Sequence, residues 1–344
     1  MPPLVAVVLM ALGFSALTAW GLSWLLERSG PVDRPRERGM HAVPTPTSGG
    51  LAIMGGVSAG MGMIAAVAPP AVFDQTIAAA LALAVAYGLL GALDDLFDFG
   101  AKAKLVVQVV LALGFSALVH PNAIILSGAL TLPLPVWISV AGAALWVVGV
   151  SNAVNFVDGA NGLVAGAVSI VAVGLGLAAN GAQYPLLALL CLVTTAACLG
   201  FLPFNFPQGR LFQGDAGALF LGGLIAAIAL MGSQTGNGLS LFAAPIAVMP
   251  LLVDVFLTLI ARARRRERLF HAHREHLYQR WLAAKGGDHT KLAWRVWLIV
   301  GCFTLLAVWS SAKGPGYSTA ALVTSVATAV IGWLWIDRRL RRSG

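Results

Sequence analysis

The sequence predicts an all-α polytopic integral membrane protein of about 10–11 transmembrane helices. Hydrophobic residues occupy 58% of the 344 positions and charged residues only 10%, compared with about 25% charged residues in an average soluble domain. Apolar runs that can cross roughly 30 Å of hydrocarbon recur along the whole chain. They are too long and too uniformly apolar for the alternating strands of about 10 residues in a membrane barrel. Backbone groups in lipid must therefore pair within helices.

The apolar runs place the predicted helices in order along the chain. Arg28 follows the first run and no basic residue precedes it, which is the wrong polarity for a cleaved signal peptide. This run predicts a membrane anchor with its N-terminus outside. No connection is long enough for a soluble domain, so we expect residues 1–344 to form a single membrane-embedded domain. The predicted spans are 4–26, 50–69, 76–94, 103–119, 134–151, 162–179, 184–203, 216–232, 240–261, 294–311 and 317–336.

The distribution of Lys and Arg tests this topology. When the connections alternate between two sides, Lys313 alone among the 22 Lys and Arg residues falls outside. Short cytoplasmic loops retain basic residues during insertion, so the basic side is predicted to face the cytoplasm, with the C-terminus inside. Basic loops beside anionic lipid also explain most of the net charge of +8 without a nucleic-acid partner.

The predicted cytoplasmic connections carry the chemistry of the chain. Nine of the 14 acidic residues lie in one of them, and Asp74 is the clear exception on the outer side. The outer connections are small and nearly uncharged, and the longest, 120–133, has the length to fold back as a hairpin. The cytoplasmic connections are 33–50, 94–104, 151–162, 203–217 and 262–280.

Three acids, Asp94, Asp95 and Asp98, end the third span. The spacing of Asp94 and Asp98 predicts that they share one helical face. Acids are least favoured at a helix C-terminus, the negative end of the dipole. A water-exposed stop signal would explain them, but Lys or Arg usually has that role. The acids therefore favour a divalent-cation site or a base for a phosphate or hydroxyl group.

Short polar side chains recur every three residues at the mouth of the sixth span: Asn152, Asn155, Asp158 and Asn161. Beside glycines, such oxygen-bearing groups suit a metal or phosphate loop. The same residues also form ordinary turns and helix caps, so both interpretations stand for this segment alone.

The segment 203–217 combines an amide, Asn205, and a ring, Phe212, with Asp215 at the start of the eighth span. Free backbone N–H groups at a helix N-terminus favour an anion, so Asp215 is either an N-cap or a functional acid. The amide and the ring could hold a base beside its phosphates.

A compact basic group follows the ninth span: His273, Arg274, His276 and Arg280. Two histidines three residues apart are similar to zinc ligands, but no Cys or further His completes a tetrahedron locally. Phosphate contact is therefore favoured. Asp254 lies within the ninth span, where an acid is expensive unless it is paired or lies in a polar cavity, and it either orients a loop or serves a proton path. Together these connections indicate phosphoryl transfer with Mg²⁺.

Three motifs in series resemble the polyprenyl-phosphate N-acetylhexosamine-1-phosphate transferases, glycosyltransferase family 4, over most of the chain. Singly the motifs are loose, but their order along the chain is specific. They are Asp94-Asp95-x-x-Asp98 with Lys104-Leu105-x-x-Gln108, then Asn152-x-x-Asn155-x-x-Asp158-Gly159, then Asn205 ahead of Gly214-Asp215-x-Gly217.

The resemblance implies that undecaprenyl phosphate attacks a UDP-N-acetyl amino sugar to give undecaprenyl-diphospho-sugar and UMP. It implies Mg²⁺, or Mn²⁺ in its place, and leaves a homodimer open. The implied roles are Asp215 and Asn155 for the metal; Asp94 and Asp95 for the lipid phosphate; Lys104 for the diphosphate; Asp158 as a further catalytic acid; Asn205 and Phe212 for the uridine; and Asn161, His273, Arg274, His276 and Arg280 for the substrate.

Departures from the family pattern favour one subgroup. Asn161 replaces a common Asp, Ala218 replaces a common Ser, and the loop 273–280 differs from the three-histidine run of phospho-MurNAc-pentapeptide transferases. This loop is more similar to the enzymes that initiate O-antigen, which favours UDP-GlcNAc or a deoxy sugar such as FucNAc or QuiNAc over the peptidoglycan precursor. A proton-coupled secondary transporter is the alternative from another class. Charges in such carriers are expected near the midplane between repeats, whereas here nearly all charges gather at one face and Asp254 is the acid within a span.

Overall fold

The computed structural model describes residues 4–33, 44–67, 75–234, 239–268 and 273–343. Within these ranges, eleven helices are long and apolar enough to cross a membrane, so the chain is an all-α polytopic membrane protein, as predicted. These helices are α1 (Leu4–Ser29), α2 (Gly49–Val67), α3 (Gln75–Phe97), α4 (Ala101–Leu118), α5 (Val136–Val157), α6 (Leu163–Gly181), α7 (Pro185–Asn205), α8 (Gly214–Gln234), α9 (Ala243–Arg264), α11 (His289–Lys313) and α12 (Pro315–Ser343). A short helix, α10 (Leu277–Ala284), lies between α9 and α11.

Two antiparallel strand pairs accompany the helices in the described part of the chain. Strand β1 (Val32–Asp33) pairs with β2 (Thr45–Pro46), and β3 (Ala123–Ile125) pairs with β4 (Thr131–Pro133). The second pair confirms the hairpin expected in 120–133. Parts of two predicted cytoplasmic connections, 34–43 and 269–272, lie outside the described residues.

Two helix ends near the predicted site residues differ from the prediction. Helix α5 continues to Val157, so Asn152 and Asn155 lie in its last turns and not in a loop. An apolar run stops at its first polar residue, whereas a helix continues for as long as its backbone hydrogen bonds can form. Helix α3 ends at Phe97, and Asp98 follows it with a left-handed φ of 49°. The prediction that Asp94 and Asp98 share one helical face was therefore wrong.

Helix α8 is the central helix of the bundle. Almost all of its span is buried, and glycines let its neighbours approach closely. A Cβ at Gly222 would lie 2.6 Å from the Cα of Ser151 on α5, and a Cβ at Gly223 would lie 3.1 Å from the ring of Tyr87 on α3. Small residues permit such close packing of helices in a membrane.

The close crossing of α3 over the first turn of α8 positions the acids. A Cβ at Gly91 would overlap the backbone of Asp215. Asp95 lies one turn after Gly91 on the same face, so this contact brings Asp95 directly to the N-terminus of α8. Helix α2 approaches the same turn from another side, where a Cβ at Gly50 would overlap the backbone of Gly217.

Candidate active site

The predicted cytoplasmic connections meet at one end of the bundle, here named the polar end. The Asp95 side chain contacts the backbone of Asp215, which joins connections 94–104 and 203–217. The Gly162 N–H donates to Asn205 Oδ1 at 2.6 Å, which joins 151–162 to 203–217. These contacts link segments far apart in sequence into one cluster of polar side chains.

Asp95 caps the N-terminus of α8. Its Oδ1 accepts from the Asp215 N–H at 3.2 Å, and its Oδ2 accepts from the Ala216 N–H at 3.3 Å. The first N–H groups of a helix have no partner within the helix and carry positive partial charge. Gly214 enters the helix with a φ of +64°, a conformation that glycine adopts without strain. The cap of α8 therefore comes from another helix and not from Asp215.

Lys104 joins two acids of the cluster. Its Nζ lies 2.7 Å from Asp94 Oδ2 and forms a second, shorter contact with Asp215 Oδ2. The other oxygen of Asp215 accepts from Asn155 Nδ2 at 2.8 Å. One ammonium and one amide thus hold Asp215 in a fixed orientation at the start of α8.

Asp158 follows the last residue of α5 and lies near the other acids. Burial raises the pKa of its carboxyl well above the usual range, and the charges of Asp215 and Asp95 raise it further, while Gln213 beside it lowers it. Four carboxylates and one ammonium therefore meet here: Asp94, Asp95, Asp158, Asp215 and Lys104. With all groups ionised, the cluster has an excess of negative charge.

This donor set fits a divalent cation that keeps some of its ligands for a substrate. Within the described residues, no three His, Cys, Asp or Glu side chains converge into a complete ligand set. Mg²⁺ usually retains water and is held by one or two carboxylates together with substrate phosphates. The carboxylate of Asp215 and the side-chain carbonyl oxygen of Asn155 would hold the ion. The positive charge of the ion would offset the excess of carboxylates.

Asn205 is buried and joins two loops at the polar end. Its Oδ1 accepts from Gly162 N–H, and its Nδ2 donates to the Leu211 carbonyl at 2.9 Å. Gly162 has a φ of +71°, which allows its N–H to face the amide. The side chain therefore fixes the shape of both loops, and its predicted contact with uridine stays a prediction.

Asn161 and Phe212 flank these loops. The Asn161 backbone N–H donates to His289 Nδ1 at 3.2 Å, and its Nδ2 donates to the Pro207 carbonyl at 3.0 Å. The Phe212 backbone is fixed by Pro46 and Gly49, at 2.8 and 2.9 Å. Asn161 and Phe212, which are predicted to bind substrate, are thus held by hydrogen bonds between three connections: 33–50, 151–162 and 203–217.

The buried acid Asp254 of α9 orients the loop before α10. Its carboxylate accepts from the Leu277 N–H at 2.7 Å and from Trp333 Nε1–H at 3.1 Å. It therefore caps α10 and ties it to α9 and α12, which confirms the loop-orienting interpretation. Tyr278 on α10 donates its O–H to the Phe156 carbonyl at 3.1 Å, so α10 contacts the end of α5 beside Asp158.

The His and Arg residues of this loop have different surroundings. The rings of His273 and His276 lie 4.9 Å apart, and that of His276 stacks on Phe156 at 5.9 Å. Burial lowers the pKa of both imidazoles to about 4, so they are neutral at pH 7. Arg280 pairs with Asp337 of α12 at 2.5 Å, whereas Arg274 is exposed. Histidine 276 is thus the loop residue held closest to the end of α5.

Sequence reasoning missed one polar residue of this region, Gln213, and assigned no role to another, Gln108 of the Lys104-Leu105-x-x-Gln108 motif. Gln108 accepts from Asn152 Nδ2 at 2.7 Å, beneath the Asp215 cluster. Gln213 is 2% exposed and lies beside Asp158. Its place immediately before Gly214-Asp215 was the one available signal, because no periodicity distinguishes it from a core position.

Known proteins are similar to this chain over much of its length. Residues 77–233 match the sequence profile of Glycosyl transferase family 4. A probable undecaprenyl-phosphate N-acetylglucosaminyl 1-phosphate transferase of Bacillus subtilis is 32% identical over 81% of this chain and 77% of its own length. A decaprenyl-phosphate N-acetylglucosaminephosphotransferase of Mycobacterium tuberculosis is 30% identical over 90% of this chain and 83% of its own length.

A third relative differs in the coverage of the match. A phospho-N-acetylmuramoyl-pentapeptide-transferase of Synechococcus is 36% identical, but the match spans 63% of this chain and 63% of the relative. The profile match contains the acids of α3, the amides of α5 and the first turn of α8. Long matches to several phosphotransferases, together with this cluster, establish that the chain belongs to glycosyl transferase family 4, the polyprenyl-phosphate sugar-1-phosphate transferases.

Proposed function

We propose that this protein transfers a HexNAc-1-phosphate group from a UDP-sugar to undecaprenyl phosphate, giving undecaprenyl-diphospho-sugar and UMP. The observation that carries the proposal is the fixing of Asp215 by Lys104 and Asn155 beside the acids of α3. The relatives named for polyprenyl-phosphate substrates support the lipid acceptor. The product would initiate O-antigen or another envelope polysaccharide.

The reaction forms one bond and breaks one. A phosphate oxygen of undecaprenyl phosphate attacks the β-phosphorus of the UDP-sugar, and the oxygen between the two phosphorus atoms leaves with UMP. Two anions must approach each other, so the transition state needs nearby positive charge and fixed geometry. Lys104 supplies such a charge next to Asp215.

The acids of α3 have distinct tasks in this proposal. Asp94 contacts the Lys104 ammonium that also contacts Asp215, and Asp95 positions the first turn of α8. In this proposal, one of the two carboxylates orients the lipid phosphate or accepts its proton. Asp158 stays a candidate acid of the same centre. Mg²⁺, or Mn²⁺, held by Asp215 and Asn155 would neutralise phosphate charge when bound.

The bilayer supplies the lipid substrate. The Lys and Arg asymmetry supports a polar end at the cytoplasmic face of a bacterial inner membrane, with the C-terminus inside. A soluble UDP-sugar and the phosphate of a membrane-bound polyprenol could meet there. A homodimer is compatible with this arrangement and is not required by it.

The donor is proposed to be a small UDP-HexNAc, either UDP-GlcNAc or a deoxy sugar such as UDP-FucNAc or UDP-QuiNAc. The matches to GlcNAc-phosphate transferases cover more of this chain than the match to the pentapeptide transferase. The peptidoglycan precursor remains the alternative donor for the assay.

The test is UMP release by purified protein in detergent or nanodiscs, across a panel of these UDP-sugars and UDP-MurNAc-pentapeptide. We expect release only with undecaprenyl phosphate and Mg²⁺ both present, and loss on EDTA with recovery on added Mg²⁺ or Mn²⁺. No release with any donor would refute the proposed function. Release with the pentapeptide donor alone would replace the proposed donor by the peptidoglycan precursor.

A further inference from the structure

Gln213 has a buried side-chain amide that lacks partners. The residue is 2% exposed, and neither its Oε1 nor its Nε2 makes a hydrogen bond. Most buried polar side-chain atoms in proteins have a partner, because an unpaired group loses its hydration without compensation. An amide with both ends unpaired therefore indicates a missing ligand that offers a donor and an acceptor.

The backbone fixes where this amide lies. The Gln213 carbonyl accepts from the N–H groups of Gly50 and Gly217, at 2.9 and 3.1 Å. The side-chain stem passes over Gly217, since a Cβ there would lie 2.8 Å from the Gln213 Cβ. The amide ends beside Asp158 and lowers the pKa of that carboxyl, although neither amide atom lies within hydrogen-bond distance and geometry of it. It is thus held at the edge of the carboxylate cluster.

The need for both a donor and an acceptor selects among parts of the substrate. Phosphate oxygens of a nucleotide diphosphate only accept, and a metal ion would engage only Oε1. A sugar hydroxyl or an acetamido group offers a donor and an acceptor together. The sugar is attached to the phosphate that is proposed to lie beside Lys104 and Asp215, and Asp158 and Gln213 belong to the same cluster of side chains.

We propose that Gln213 is a substrate-binding residue whose side-chain amide hydrogen-bonds the sugar of the nucleotide-sugar donor. This inference rests on the proposed function and adds a determinant of donor specificity to it. The amide would favour sugars with a hydroxyl or acetamido group within its reach.

The test compares binding of three ligands, measured by titration calorimetry in detergent with Mg²⁺ present: UMP, UDP and the UDP-HexNAc with the highest turnover. Gln213→Met keeps the size of the side chain and removes both polar atoms. We expect it to weaken UDP-HexNAc binding about five- to tenfold, the effect of one or two hydrogen bonds, and to leave UMP and UDP unchanged. Gln183→Met, at an exposed turn between α6 and α7, is the matched control.

Thermal unfolding separates a structural role from a binding role. Because Met leaves no unpaired amide, Gln213→Met should unfold at the same or a higher temperature than wild type without ligand. Mn²⁺ binding, followed by electron paramagnetic resonance, should not change. Equal losses for all three ligands, no loss for any, or a lower unfolding temperature would overturn the inference. If the wild-type protein binds no UDP-sugar, the result refutes the proposed function as well as this inference.

Discussion

The carboxylate of Asp95 accepts the backbone N–H of Asp215, so an acid of one helix caps the helix that carries the other. The same carboxylate also binds the Ala216 N–H. Asp95 therefore fixes the position of the Asp215 side chain in addition to any contact with substrate. Changes at either residue are expected to affect one centre.

Asp215→Ala and Asp95→Asn are each expected to reduce turnover at least about 100-fold, since each removes part of a fixed electrostatic arrangement. Asp95→Asn keeps one acceptor for the cap, so the helix should still form. The measurement is UMP release, with membrane insertion and size-exclusion profile as checks of folding. Glu267→Gln, a half-buried acid after α9 that pairs with Arg265, is the control. Near wild-type turnover in either Asp variant would contradict its assigned role.

Lys104 and Lys102 provide a matched pair on α4. Lys104 contacts Asp94 and Asp215, whereas Lys102 is exposed. Lys104→Ala should lower kcat by about 100-fold or more, because it removes the positive charge beside the reacting phosphates. Lys102→Ala should stay within about twofold of wild type, as expected of exposed substitutions away from special contacts. A similar loss in both variants would mean that general surface charge, and not the Lys104 contacts, is required.

Asp158 should make the metal-free protein less stable as the pH rises. Its pKa is raised in the folded state, so the folded state retains a proton that the unfolded state releases above about pH 4. Asp158→Asn removes this dependence. In EDTA, its unfolding temperature at pH 7 should equal or exceed that of wild type, with a flatter pH profile, while turnover is lost.

Asp288 gives the control of opposite sign. Its contacts with the Lys291 backbone and side chain lower the pKa of its carboxyl, so its stabilisation is present at neutral pH and is lost as the pH falls through the acid range. Asp288→Asn should lower the unfolding temperature at pH 7. If Asp158→Asn also lowered the unfolding temperature at pH 7, the excess of negative charge assigned to the cluster around Asp158 would be wrong.

Asp254→Ala tests the anchoring of α10. The change leaves the N–H groups of Leu277 and Trp333 without their acceptor, and each unpaired buried donor costs about 1–3 kcal/mol. We expect a lower unfolding temperature, reduced turnover and faster trypsin cleavage at the Arg residues between α9 and α10. Asp254→Asn, which keeps one acceptor oxygen, should be intermediate. Unchanged cleavage in the Ala variant would show that α10 is held by other contacts.

Local patterns were sufficient to predict the membrane spans and the motifs. The length of an apolar run indicates whether a segment can cross the bilayer, and residue type indicates which segments carry chemically functional side chains. They were weaker at helix ends. Asn155 was expected in a loop and lies on α5, while Asp98 lies beyond α3. Helix ends depend on backbone hydrogen bonds, which the polarity of single residues does not report. The expected single domain and the assigned site roles stay predictions.

The sequence by itself determined a membrane-spanning helical bundle, the family motifs and the one-sided distribution of charge, since each follows from residue type and order. Only the tertiary structure decided which groups meet. The Asp95 cap on α8, the Lys104 contacts and the unpaired amide of Gln213 all depend on glycine-mediated crossings such as that of Gly91 over Asp215. These contacts join residues from distant segments, and their distances are set by helix packing that no local pattern records.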